Sequence, residues 1–240
     1  MNPTNSTNSM NAINSLSRQE LARLVARHLP PEGFVNLGIG APTAIADHLP
    51  AGSHVMLHSE NGILNVGPKP SEGQEDGDLI NAGKMPVTLA RGGSYFDSSL
   101  SFSMMRGGHL DIAILGAFQV SEHGDLANWS TGDLHGAPPA IGGAIDLAVG
   151  ARQIWVMMDH STRDAQPRLV QRCTLPLTAV GVVTRVFTNL AIVGITNEGF
   201  VLEALFEQAS VEEVQQRTGA LLSLSPEMRR FGRDGVLVPA

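Results

Sequence analysis

The sequence predicts an α/β fold: one open, mostly parallel sheet with helices on both faces. Three observations carry this. Runs such as Asp111-Ile112-Ala113-Ile114-Leu115 and Ile154-Trp155-Val156-Met157-Met158 are almost continuously apolar, as strands covered on both faces are. Stretches with helical spacing separate such runs, the alternation expected of parallel strands joined by crossovers. Glycine-rich turns, Gly38-Ile39-Gly40 among them, fall where a strand would hand over to a helix.

Residues 1–16 are rich in Asn and Ser with few apolar groups, a composition expected to leave a disordered tail because little apolar burial offsets the entropy of ordering. A single domain over 17–240 follows, with no linker or internal repeat. Ser17-Arg18-Gln19-Glu20 is a capping box followed by Leu21, Leu24, Val25 and Leu29 at helical spacing, which predicts a helix over 17–29. A strand at Phe34-Val35-Asn36-Leu37 leads into Gly38-Ile39-Gly40-Ala41-Pro42-Thr43 and a short helix, since proline suits a first helical turn. Residues 54–58 form the next strand. Further strands are predicted at Val87-Thr88-Leu89, 111–115, 154–158, 169–175, Leu190 to Ile195 and Phe200 to Ala204. A second capping box, Ser210-Val211-Glu212-Glu213, starts a helix expected to run to Gly219.

Composition narrows the function. With Lys+Arg 16 against Asp+Glu 23, a net charge of −7 and no basic block, nucleic acid is a poor partner. No apolar run is long enough to cross a bilayer and no export signal is evident, so a cytoplasmic location is expected. Cys173 is the only cysteine, which excludes an internal disulfide and a cysteine-cluster metal site. On its predicted strand it is expected to be a small core residue rather than a nucleophile. Lys69 and Lys84 are the only lysines, equally readable as surface residues or as groups near an anionic ligand.

The most informative stretch is His58-Ser59-Glu60-Asn61-Gly62, where a lone acid stands between a strand and a glycine turn. Such a carboxylate can attack an activated carbonyl if water is excluded and amides await the oxyanion. A solvated turn residue has the same local sequence. His54, His58 and Glu60 share a face if the strand continues, but the spacing is not that of a zinc hydrolase, and no metal site is expected. Glu72, Glu75, Asp76 and Asp78 lie in a polar loop expected to be solvated, so no second carboxylate for glycoside hydrolysis is marked. Gly-x-Ser-x-Gly is absent. Gly142-Gly143-Ala144 opens a predicted helix and would let a ligand approach its amides, or merely let a helix pack closely on the sheet.

Several long motifs in order carry a resemblance. SENGILNVGP at 59–68, DLINAGK at 78–84, residues 92–129, IGGAIDLAVGA at 141–151 and CTLPLT at 173–178 together resemble the B subunits of the class I 3-oxoacid CoA-transferases, over about residues 17–222. The resemblance implies the open α/β architecture shared with sugar-phosphate isomerases. It implies Glu60 as a nucleophile that carries CoA as a glutamyl thioester, with the Gly143 amide as an oxyanion donor and Asn61, Gly62 and Gly142 around the substrate. It implies a partner, the A subunit of the same CoA-transferase, that completes the site in a heterodimer or a doubled tetramer, and no cofactor, the CoA thioester being a substrate. Asn128 to Asp133 and Pro138 to Ala144 are similar to members acting on 3-oxoadipate, which implies succinyl-CoA as donor and a place in aromatic-compound catabolism through the β-ketoadipate pathway. Members acting on acetoacetate, and a non-catalytic binding protein on the same fold, are the alternatives. Both acids of the 3-oxoadipate reaction carry a second carboxylate, and Arg106 is the expected cation for it or else a loop anchor. Gly73-Gln74-Glu75-Asp76-Gly77, Ile63 to Val66 and Gly132 to Pro138 depart from the family's usual pattern.

Overall fold

A computed structural model describes residues 15–132 and 141–240. Residues 1–14 of the expected tail, and 133–140 of the segment compared with 3-oxoadipate enzymes, lie outside the described residues.

Helix α1 (Arg18–His28) begins as the capping box requires: the Ser17 side chain accepts from the Glu20 amide, and Glu20 accepts from the Ser17 amide at 2.7 Å. Its inner face buries Leu21, Leu24 and Val25. The fold starts before the cap, which corrects the expected tail boundary. Leu16 is 5% exposed, and its amide donates to the Asn189 carbonyl, so burial of this one leucine ties residue 16 to the core.

Strand β1 (Glu32–Leu37) leads through Gly38-Ile39-Gly40 into a 3-10 helix (Ala41–His48) with proline in its first turn. Then come β2 (His54–Ser59), β3 (Ile63–Val66), β4 (Leu89–Tyr95), α2 (Ser98–Arg106), β5 (Ile112–Leu115), β6 (Gln119–Ser121) and β7 (Leu126–Ala127). After these follow α3 (Ala144–Gly150), β8 (Gln153–Met158), β9 (Leu169–Val170), β10 (Val183–Thr188), β11 (Ala191–Thr196), β12 (Gly199–Phe206), α4 (Val211–Gln216), β13 (Leu222–Phe231) and β14 (Leu237–Pro239).

The main sheet has the order β14-β13-β12-β11-β10-β8-β5-β1-β2-β3-β4, and β7-β6-β9 form a small second sheet. Parallel pairing holds across the centre, β10-β8-β5-β1-β2, where helices or long loops make the crossovers. The flanks are largely antiparallel, which narrows the mostly parallel expectation. Connection length is the reason: Glu60-Asn61-Gly62 joins β2 to β3, and Asn197-Glu198 joins β11 to β12, too short for anything but a hairpin.

Register separates the two faces. Val35 pairs with Leu57 and Ile112, and Ile112 and Ile114 with Gln153 and Trp155, on the face where His28 of α1 meets the Phe187 ring. Asn36 pairs with His58 and Ala113 on the opposite face, where His58 meets Ser101 of α2. Helices therefore cover both faces, as predicted.

Three predicted elements differ. The chain at Val87-Thr88 is not strand; pairing with β3 begins at Leu89, is interrupted by a register shift across Gly92-Gly93, and resumes at Ser94 and Tyr95. Of 169–175 only Leu169 and Val170 pair, and Cys173 lies in a loop where its thiol contacts the Asp125 carbonyl. Burial and Asp125 raise that thiol to about 11, so it is un-ionised at neutral pH. Helix α4 ends at Gln216, three residues before the expected Gly219 stop, as Thr218 turns its hydroxyl onto the Val214 carbonyl.

Candidate active site

The carboxyl ends of β1, β5 and β8, together with the residue after β2, open onto one cavity of about 560 Å³, lined by Gly38, Glu60, Phe118, Gly142, Gly143 and Asp159 among others. This is where open α/β sheets bind ligands, because the loops there can diverge from rigid strand ends.

Glu60 reaches the cavity from the turn between β2 and β3. The turn is built by its neighbours. The Gly62 amide donates to the Ser59 carbonyl, the Ser59 hydroxyl donates to the Asn61 side chain at 2.7 Å, and Asn61 donates to the Ile80 carbonyl at 2.7 Å. Ser59 also accepts from the Ala82 amide. At Gly62 φ is 110°, and a Cβ there would run into the Phe96 carbonyl oxygen, so only glycine fits. Asn61 and Gly62, expected to contact substrate, do not line the cavity; they hold the backbone that aims Glu60.

Opposite stands the turn Ile141-Gly142-Gly143 at the start of α3. The Gly143 amide donates to Glu60 Oε1 at 3.4 Å. A Cβ on Gly143 would lie 2.9 Å from Glu60 Oε2, and one on Gly142 3.5 Å from Oε1. The glycines thus admit the carboxylate to the backbone. Burial raises the Glu60 carboxyl above its ordinary range and Asp146 adds to the effect, while the Gly143 amide opposes it. A carboxylate so placed is more basic than one in water, with the Gly143 amide already facing it.

Beneath the site, His58 is 2% exposed. The Asn36 amide nitrogen donates to the His58 carbonyl and to its Nδ1, so Nε2 carries the proton and donates to Ser101 at 3.1 Å. Burial holds the imidazole down at about 4. It is a neutral strut for β2, not a proton carrier, while His54 at the far end of the strand is exposed. Among the described residues no group of His, Cys, Asp and Glu is placed to hold a metal.

Arg106 does not line this cavity. Its Nε pairs with Asp146 at 2.6 Å and its guanidinium lies over the Phe102 ring. It joins α2 to α3. The arginines that do line the cavity are Arg18, Arg163 and Arg168. No motif in the sequence marked them, although Asp159 directly follows a buried strand, and residues just past such strand ends are where a search should start. Neither lysine lines it; Lys69 faces a separate cavity of about 250 Å³. Glu72, Glu75, Asp76 and Asp78 are exposed, as expected.

A sequence model described as Coenzyme A transferase matches residues 18–217. The B subunit of the 3-oxoadipate CoA-transferase of Pseudomonas putida is 54% identical over 207 residues, covering 86% of this chain and 96% of that protein. The B subunit of a probable succinyl-CoA:3-ketoacid coenzyme A transferase of Bacillus subtilis is 45% identical, covering 87% of this chain and 96% of its own length. In fold, an acyl-CoA transferase of Escherichia coli O157:H7 superposes with a TM-score of 0.71 at 16% identity, over 95% of this chain but 46% of that one, so this chain spans about half its length. The decarboxylase AibA/AibB superposes at 0.64 with 22% identity, over 93% of this chain and 90% of the other. The fold is therefore shared across chemistries, but the sequence match is not: the chain belongs to the coenzyme A transferase family.

Proposed function

We propose that this chain is the catalytic B subunit of a CoA-transferase that moves CoA from succinyl-CoA to 3-oxoadipate, working in the cytoplasm with a separate A subunit. The observation that carries it is the Glu60 carboxylate facing the Gly143 amide in a cavity at the strand ends, in a chain so similar to the B subunits of 3-oxoadipate CoA-transferases.

A Glu60 oxygen attacks the thioester carbonyl of succinyl-CoA; the C–S bond breaks and CoA leaves as thiolate. The thiolate attacks the glutamyl carbonyl of the resulting anhydride. Succinate leaves with the bridging oxygen, and a Glu60–CoA thioester remains. The carboxylate of 3-oxoadipate then attacks that thioester, and the same steps run in reverse. Each tetrahedral oxyanion at the glutamyl carbon forms where the Gly143 amide already points, and fixed donors need no reorganisation as charge develops. Burial of Glu60 keeps water from hydrolysing anhydride or thioester. No cofactor or metal is needed, since every bond is exchanged between carboxyl and thiol groups.

Acetoacetate is the competing acceptor, favoured by the likeness to succinyl-CoA:3-ketoacid enzymes. The test is a coupled assay of the pair reconstituted with its partner, comparing the two acceptors. Higher kcat/KM with 3-oxoadipate is expected; higher kcat/KM with acetoacetate would overturn the acceptor assignment, and CoA release without any acceptor would make the protein a hydrolase.

A further inference from the structure

A dicarboxylic acceptor brings a second negative charge into the cavity, and Arg106 faces elsewhere. Of the cavity arginines, Arg18 and Arg163 are exposed, while Arg168 is half-buried. Its backbone is fixed on both sides: its amide donates to the His160 carbonyl at 3.3 Å, and its carbonyl accepts from Val120 at 2.9 Å. The side chain, however, is short of acceptors. Among the described residues, Nη1 makes one long hydrogen bond, 3.4 Å, to the Ala117 carbonyl, and Nε, shielded from solvent, has no hydrogen-bond partner. Withdrawing a guanidinium donor from water without an acceptor is costly. Carboxylates are the ligands that satisfy two guanidinium donors at once.

Position fits the same ligand. The Ala117 carbonyl that Arg168 touches lies just past β5, and Glu60 just past β2, with only β1 between them in the sheet. Two strand spacings amount to about 10 Å. Arg168 and Glu60 both line this cavity, and a spacing of about 10 Å between the strand ends beside them is on the scale of a short dicarboxylic acid. Asp159 also lines the cavity and is exposed, as are Arg18 and Arg163, so the rim is not purely cationic and Arg168 is the inner positive group.

Building on the transferase assignment above, we propose that Arg168 receives the distal carboxylate of the dicarboxylic substrate, turning a two-donor edge of its guanidinium toward the cavity while Glu60 engages the reacting end. It is thereby the residue that separates dicarboxylic from monocarboxylic substrates. The reconstituted pair tests this with 3-oxoadipate and 3-oxohexanoate, which have the same chain length but end in carboxylate or methyl. In a ping-pong reaction kcat/KM for the acceptor reports only the second half, so the ratio is independent of damage to the succinyl-CoA step. Arg168→Gln is expected to lower the ratio of 3-oxoadipate to 3-oxohexanoate by roughly 10- to 100-fold, the range for a charge-assisted hydrogen bond. Arg168→Lys, which keeps the charge but loses the fork, is expected to fall between, and it decides the matter if the glutamine variant does not fold. A ratio unchanged in the folded variant overturns the role of Arg168 alone. Absence of transfer to 3-oxoadipate, 3-oxohexanoate and acetoacetate alike by the wild-type pair overturns the transferase assignment and this proposal with it.

Discussion

The Gly143 amide lies 3.4 Å from Glu60 Oε1, and the space a Cβ would take on the same residue comes within 2.9 Å of Oε2. One glycine therefore both donates to the carboxylate and leaves room for it. Gly143→Ala is expected to push the Glu60 side chain off its donor and lower kcat by about 100-fold, the usual cost of a lost oxyanion donor or a misplaced reacting group, with assembly of the pair intact by gel filtration. Gly142→Ala acts differently: φ is 51° there and the nearest Glu60 oxygen is 3.5 Å away. It should lower stability by roughly 1 kcal/mol through backbone strain, with a smaller loss of kcat, as read by denaturant titration and kinetics.

The raised carboxyl of Glu60 has a signed consequence. Its folded-state pKa lies above the ordinary carboxylate value of 4.5, so the native state holds the proton more tightly than the unfolded chain and loses stability as pH rises through that window. Glu60→Gln is expected to raise the melting temperature at neutral pH, and the gain should vanish as pH falls below 4.5. For the wild type, kcat/KM should fall on the acid side through a pKa above that of a free carboxylate. Equal melting temperatures across the whole pH range would contradict the burial cost assigned to Glu60.

Arg106 couples to the same group. Its partner Asp146 already raises the Glu60 carboxyl, so Arg106→Gln leaves Asp146 unneutralised and should move the acid limb of the pH profile upward. The pair is largely exposed on the Arg106 side, with 68% of that side chain open to solvent, so the stability loss should stay within about 1 kcal/mol. The preference for 3-oxoadipate over acetoacetate should not change; a collapse of that preference would restore Arg106 to a substrate role.

Two buried histidines should govern acid stability. His58, held by Asn36 and Ser101, and His160, held by Thr188 and Thr218, are both kept down at about 4 by burial, with Arg217 adding to the effect at His160. An unfolded histidine titrates near 6.5. Between those values the unfolded chain takes up protons the native state refuses, so stability falls as pH drops from 6.5 to about 4 and levels off below, as far as these groups decide it. Denaturant midpoints measured across that range check the slope, and His160→Gln should flatten it.

Much of this was legible in the sequence where a local rule dominates. The capping boxes at Ser17 and Ser210 and the continuously apolar runs at 112–115 and 154–158 follow from short-range chemistry, whereas the roles of Glu60 and Gly143, 83 residues apart, were implied only by the family resemblance. What failed depended on partners distant in the chain. Strand β4 pairs with β3 on either side of Gly92-Gly93, which fall in a register shift of the ladder, a stretch no propensity would choose. Asn61 finds its acceptor in the Ile80 carbonyl, a partner no local motif marks. Arg106 ends α2 and Arg168 immediately precedes β9; only the packing of α2 on α3, and of Arg168 beside Ala117, shows which one lines the cavity.

The central claim is that Glu60 carries CoA. Incubating the reconstituted pair with succinyl-CoA and no acceptor, then measuring the mass of this chain and of its peptides, tests it most directly. A CoA adduct on the peptide containing Glu60, absent from Glu60→Gln and discharged by 3-oxoadipate, is the predicted result. Transfer by the wild-type pair with no adduct at Glu60, or an adduct that persists in Glu60→Gln, would contradict it.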